Sequence, residues 1–116
     1  MDNMTHSYLA TALWTATDDK GEPLDRAYGI GDFAPEAISK ATADCLDFRT
    51  GTTGLLEEAS ISPEQAGHDF WLTRNRHGTG FWDRSNGRIG QELTDFAHAY
   101  GETDVYVGDS GKLYLS

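Results

Sequence analysis

Apolar residues recur at helical spacing over much of this chain and at period two near its end. Leu9, Ala12, Leu13 and Ala16 share one helical face, which predicts a first helix from about Thr5 to Ala16. The run DDKGEPLDRAYGIGD, residues 18–32, is rich in charge and glycine and predicts a long loop. Pro35 suits a first helical turn, and Ala34, Ile38, Ala41, Cys45 and Phe48 form the stripe of a second helix. That helix either stops at Gly51 or continues through TGTTGLLEEA. Ser62 and Gln65 make a capping box around Pro63, predicting a third helix to about Asn75. Ile89, Leu93, Phe96, Ala97 and Tyr100 stripe a fourth, with Gly101 as its C-terminal stop. Val105 and Val107, a Gly108–Gly111 turn, then Leu113 and Leu115 predict a β-hairpin. A lone hairpin is marginal in water, so it must pack on the helices or find a third strand. The expected fold is α+β: three or four helices packed against a small C-terminal antiparallel β-hairpin or sheet. Residues 1–116 are expected to form a single domain with one modest core.

Charge changes the picture. The net charge is −10, and it is uneven: residues 1–60 carry eleven Asp/Glu against four Lys/Arg, residues 61–116 eight against five. Phosphate affinity needs clustered cations, so direct nucleic-acid binding is not expected. No apolar run approaches a membrane span, and MDNMTHSYLA lacks the basic and apolar regions of a signal peptide. A single cysteine, Cys45, fits a reducing cytoplasm and sits on an apolar stripe, where an inert thiol is expected. One cysteine with four scattered histidines gives no metal site, and no cofactor motif is present.

Against the acidic background stands FWLTRNRHGTGFWDR, residues 70–84, with three of the nine Lys/Arg residues. Its aromatic pairs, Phe70 with Trp71 and Phe81 with Trp82, read as scaffold, since large rings dominate burial energetics. Phe70 and Trp82 are expected to clamp the helix end against the next segment. Arg74, Asn75, Arg76, His77 and Arg84 form a cationic island, with the arginines partly exposed, that suits an anion or a partner surface. Gly78-Thr79-Gly80 permits positive φ and can aim amides at an anion. Arg74 or Arg84 can instead pair with Asp69 or Asp83 for purely structural ends. Catalytic readings are thin: Asp69 and Asp83 with His77 would be an acid/base set, and His68-Asp69 a fragment of a metal site, but no nucleophile or further ligand supports either. No catalytic residue is assigned.

Asp18, Asp19, Glu22, Asp25 and Asp32 concentrate carboxylates in one loop. The plain reading is a solvated face. The sharper one is mimicry, in which spaced carboxylates imitate nucleic-acid phosphates and occupy a basic groove on another protein.

AGHDFWLTRNRHGTGFWDR, the ending DVYVGDSGKLYL and the N-terminal ALWTATDDKGEPLD together resemble a family of small uncharacterised proteins encoded by bacteriophages and prophages. The resemblance spans nearly the whole chain and carries no established activity. It implies an accessory protein acting in the cytoplasm of a bacterial host, a setting in which small acidic phage proteins often inhibit host defence. The leading expectation is therefore a non-enzymatic inhibitor of anti-CRISPR or antirestriction type. Its partner would be a host defence or nucleic-acid-processing protein. The alternatives are a small anion- or nucleotide-binding domain, as a binder or as an enzyme, using residues 74–80, and a structural accessory protein.

Overall fold

The computed structural model describes residues 1–84 and 87–116, with Asp83 and Arg84 described in their backbone only. It is an α+β fold in which a C-terminal two-stranded antiparallel sheet closes against a helical body.

Helix α1, Asn3–Thr15, begins two residues before the expected Thr5 because Asp2 caps it. One carboxylate oxygen of Asp2 accepts the Thr5 N–H at 2.9 Å and the other the Thr5 hydroxyl at 2.7 Å. Such a cap contributes about 1 kcal/mol. Helix α3, Pro63–Arg74, lies closely along α1. Gly67 makes this approach possible, since a Cβ there would sit 2.1 Å from the Met4 carbonyl oxygen. Small polar residues line the same seam. Ser7 Oγ donates to the Glu64 carbonyl at 2.6 Å, and Thr15 Oγ1 accepts the Trp71 indole N–H at 2.9 Å. Ser62 caps α3 as expected by accepting the Gln65 N–H at 3.1 Å, but the Gln65 amide donates to Asp69 at 2.9 Å.

Helix α2 runs from Pro35 to Glu58, passing Gly51 and Gly54. Each glycine costs about 1 kcal/mol relative to alanine in a helix. The buried line Ala37, Ala41, Cys45, Phe48, Thr52 and Leu56 continues beyond them and offsets that cost. Thr52 tolerates burial because its hydroxyl donates to the Phe48 carbonyl at 2.7 Å. Cys45 is buried, and burial, the largest influence on its thiol, pushes the pKa up to about 12, as an inert core residue requires.

A one-turn helix α4, Phe81–Arg84, precedes α5, Arg88–His98. The buried line of α5 is Gly90, Leu93, Thr94 and Ala97, so the expected stripe is rotated and Phe96 stands exposed. Strands β1, Val105–Val107, and β2, Leu113–Leu115, pair with Tyr106 opposite Tyr114. Of the two supports anticipated, the hairpin finds the helical body; among the described residues the sheet stays two-stranded, with one isolated bridge beside it. Leu113 is fully buried, and Phe33 bridges to it in parallel fashion as Ala34 N–H donates to its carbonyl at 2.9 Å.

The core is an aromatic stack. Phe48 lies 4.3 Å from Phe70 and 5.4 Å from Phe81, centroid to centroid, and Tyr8 meets Phe70 and Trp71 at 5.3 and 5.2 Å. Phe70, Trp71 and Phe81 are thus scaffold. Trp82 is not: it is 60 % exposed. Helix α3 is covered by neighbours on several sides, so adjacent residues Phe70 and Trp71 both find cover. Helix α4 is a single turn, and successive residues point about 100° apart. With Phe81 turned inward, Trp82 faces solvent and cannot clamp the end of α3.

Candidate functional site

Arg74 closes α3 and was expected to be partly exposed; it is 3 % exposed. Its Nη1 donates to Tyr8 Oη at 3.0 Å and to Asp44 Oδ2 at 2.9 Å. Nε donates to the Gly101 carbonyl at 2.9 Å and Nη2 to the Tyr100 carbonyl at 3.0 Å. The guanidinium also lies 5.6 Å from the ring centres of both Phe70 and Tyr100. One cation therefore ties α1, α2 and α3 to the residues after α5. The two carbonyls lie just past the C-terminus of α5, where the helix dipole favours positive charge. Burial is the first influence on the Tyr8 hydroxyl and raises its pKa, with the Arg74 charge acting in opposition. Arg74 is unavailable to an outside anion.

Asn75 is committed as well. Its Nδ2 donates to the Trp71 carbonyl at 3.0 Å, and its Oδ1 accepts the Thr103 N–H at 2.8 Å, pinning the segment that leads into β1. Arg76 then adopts φ +57°, the left-handed conformation usually given to glycine after a helix. Arg76 N–H reaches the Thr73 carbonyl at 3.1 Å and His77 N–H the Leu72 carbonyl at 3.0 Å, which closes the helix end. Gly80 is needed at φ +113°, because a Cβ would lie 2.3 Å from Thr73 Oγ1. The Phe81 N–H donates to that same oxygen at 3.2 Å. The Gly-Thr-Gly turn thus delivers Phe81 to the core, and the Phe81 amide is already used.

The island is divided by this turn. His77 borders an open cavity of about 310 Å³ with Trp71, Asn75, Glu102, Thr103 and Asp104. Arg76 borders a separate groove of about 370 Å³ with Thr79, Trp82, Gln91 and His98. Arg76 is exposed, and its guanidinium makes no ion pair or hydrogen bond with a described residue. No carboxylate is among the described residues lining the groove. Gln91, Thr94 and His98 were missed from the sequence, although their spacing of three and four places them on one face of α5. The side chains of Arg84 and Asp83 lie outside the described residues.

The suggested acid/base set is not assembled as an open site. Asp69 is fully buried and accepts from Gln65, whereas His77 is exposed at the turn. His68 shares a hydrogen bond with the Thr11 hydroxyl at 2.9 Å, and its ring lies 6.1 Å from exposed Trp14. Among the described residues no group of three or more His, Cys, Asp or Glu is placed to hold a metal ion.

The acidic loop is a shaped structure. Asp18 Oδ1 accepts the N–H groups of Lys20 and Glu22 at 2.8 and 3.0 Å, and the Asp18 N–H donates to the Glu22 carbonyl at 2.9 Å. Buried Leu24 anchors the end of this turn, its N–H donating to the Ala16 carbonyl at 3.0 Å. Glu22 pairs with Arg26 at 2.8 Å, and Asp32 Oδ2 accepts the Gly29 N–H at 2.8 Å. Asp18, Asp19, Glu22 and Asp25 are exposed, and Asp32 is half-buried.

Comparison of the chain with protein-family models, with curated proteins and with solved structures finds no match. Among the described residues no helix is long and apolar enough to cross a membrane.

Proposed function

We propose that the protein is a non-enzymatic inhibitor, of the type phages encode against host defences, that binds a basic protein surface through its acidic loop. The observation that carries this reading is the fixed shape of residues 18–25. Asp18 and Leu24 hold the turn and Glu22 is paired with Arg26, so Asp19 and Asp25 project from a set framework and their charge is presented without a large ordering cost on binding. The net charge of −10 adds long-range attraction to a basic groove of the kind that holds nucleic acid. The burial of Arg74, paired with Asp44, removes a central cation from the island, so the island is less able to compete as the binding surface. The resemblance to phage and prophage accessory proteins supplies the setting: the cytoplasm of a bacterial host, with a defence or nucleic-acid-processing protein as partner.

The test is capture of partners from a bacterial lysate on the tagged protein, followed by competition with duplex DNA. Asp18 must be kept, since it builds the turn, so the control is the Asp19→Lys, Asp25→Lys variant. The expected result is a nucleic-acid-binding protein that DNA displaces and that the variant fails to retain. A partner held equally by both proteins and indifferent to DNA would overturn the proposal.

A further inference from the structure

Three features stand outside that reading: the exposed outer edge of β1, the half-covered Trp14–His68 pair, and the groove between the Arg76–Thr79 turn and α5. The groove carries an inference. We infer that it binds a small planar ligand bearing an anionic group, such as a nucleoside monophosphate or an aromatic carboxylate, independently of the acidic loop.

The groove supplies both halves of such recognition. Trp82 offers a ring that is 60 % exposed, on a helix turn whose other aromatic residue, Phe81, is buried. An exposed indole beside a cation is a stacking platform for a planar ring. Arg76 supplies the charge. Its guanidinium is uncommitted among the described residues, while its backbone occupies a left-handed conformation at φ +57° that glycine would hold with less strain. The Arg76 side chain borders the groove. His98 in the last turn of α5 and the hydroxyl of Thr79 add polar groups at the same opening. In a protein of net charge −10, the described lining of the groove contains Arg76 and His98 and no carboxylate of its own, with Asp95 held behind Gln91 by the Gln91 amide at 2.8 Å. Its volume, about 370 Å³, is at the small end of the range for ligand sites, which suits one ring with one anionic group.

The test is a titration followed by ¹⁵N-correlated NMR, reading the Trp82 indole N–H and the backbone amides of Arg76, Thr79, Gln91 and His98. The probes are AMP, benzoate, phenyl phosphate, adenosine and inorganic phosphate. The inference expects saturable shifts confined to these signals with AMP or benzoate, and weaker binding of adenosine and phosphate alone. Phenyl phosphate, which shares the ring of benzoate, distinguishes phosphate from carboxylate as the anion. Arg76→Gly, which relieves the backbone while removing the charge, should weaken binding about tenfold or more. Trp82→Leu should do the same, and both variants should retain the wild-type amide spectrum elsewhere. The inference is overturned if shifts fall outside the groove, if adenosine or phosphate alone matches the better ring-bearing anion, if neither substitution weakens binding, or if no probe saturates. None of these results bears on the acidic loop, which Asp19→Lys, Asp25→Lys addresses separately.

Discussion

Arg74 donates to Asp44 at 2.9 Å from a guanidinium that is almost wholly buried, while Asp44 keeps partial contact with water and with Lys40 at 3.5 Å. The pair joins the end of α3 to the middle of α2 and carries Tyr8 and the carbonyls of Tyr100 and Gly101 with it. Removing one partner of a buried pair typically costs about 3–5 kcal/mol, because polar groups are left without partners. Arg74→Ala should therefore destabilise the protein by about that much in urea unfolding, whereas Asp44→Asn, which keeps a hydrogen-bond acceptor near water, should cost less. Equal small losses for both would show that the guanidinium is not a structural tie.

The two F-W pairs separate in the same assay. Phe81→Ala should cost about 3–5 kcal/mol as a large core truncation. Trp82→Ala should change stability by no more than about 0.5 kcal/mol, as an exposed residue does. The reverse order would restore the clamp that the sequence suggested for Trp82.

Several relationships were legible before the structure. The helices and the hairpin follow local periodicity, and caps such as Ser62 are written within four residues. The continuation of α2 was ambiguous because its buried line passes through Thr52, whose polarity is masked by a bond to the Phe48 carbonyl. The burial of Arg74 was illegible, since its partners Tyr8, Asp44, Tyr100 and Gly101 are scattered along the chain and meet only in three dimensions. The groove was half legible. Arg76 was singled out, but hydrophobic periodicity directs attention to the apolar face of α5 and away from Gln91, Thr94 and His98. The role of Asp18 as turn-builder was written locally, in its spacing to Lys20 and Glu22, and was hidden by reading the loop only as charge.

The turn after α3 makes opposite demands on its residues. Arg76→Gly should leave stability unchanged or raise it by up to about 1 kcal/mol, since glycine accepts φ +57° more readily. Gly80→Ala should lower stability markedly, because its Cβ would meet Thr73 Oγ1 at 2.3 Å and the backbone conformation is already unfavourable for alanine. Thermal melting of the two variants checks both signs. A stabilising Gly80→Ala would contradict the close approach described for this turn.

Asp2 gives the fold a pH dependence. Burial, the largest single influence, raises its pKa, but the Thr5 N–H and hydroxyl, the Arg49 charge and its own N–H together bring the carboxyl below the model-peptide value of 3.8. A depressed carboxyl pKa stabilises the folded state above the unfolded value, and that stabilisation is lost as pH falls through the lower folded value. Asp2→Asn keeps a capping oxygen and removes the titration. The stability advantage of wild type over Asp2→Asn should accordingly be constant near neutrality and shrink below about pH 4. An advantage that grows on acidification would contradict the assignment.

The acidic loop is tested most directly by the association rate with the captured partner, measured over a range of salt concentrations. The expected rate falls steeply with added salt, as steering over about 10 Å is screened at 0.1 M. The Asp19→Lys, Asp25→Lys variant should associate more slowly at low salt, with unchanged thermal stability because both positions are exposed. Equal rates for the two proteins at every salt concentration would contradict the proposal.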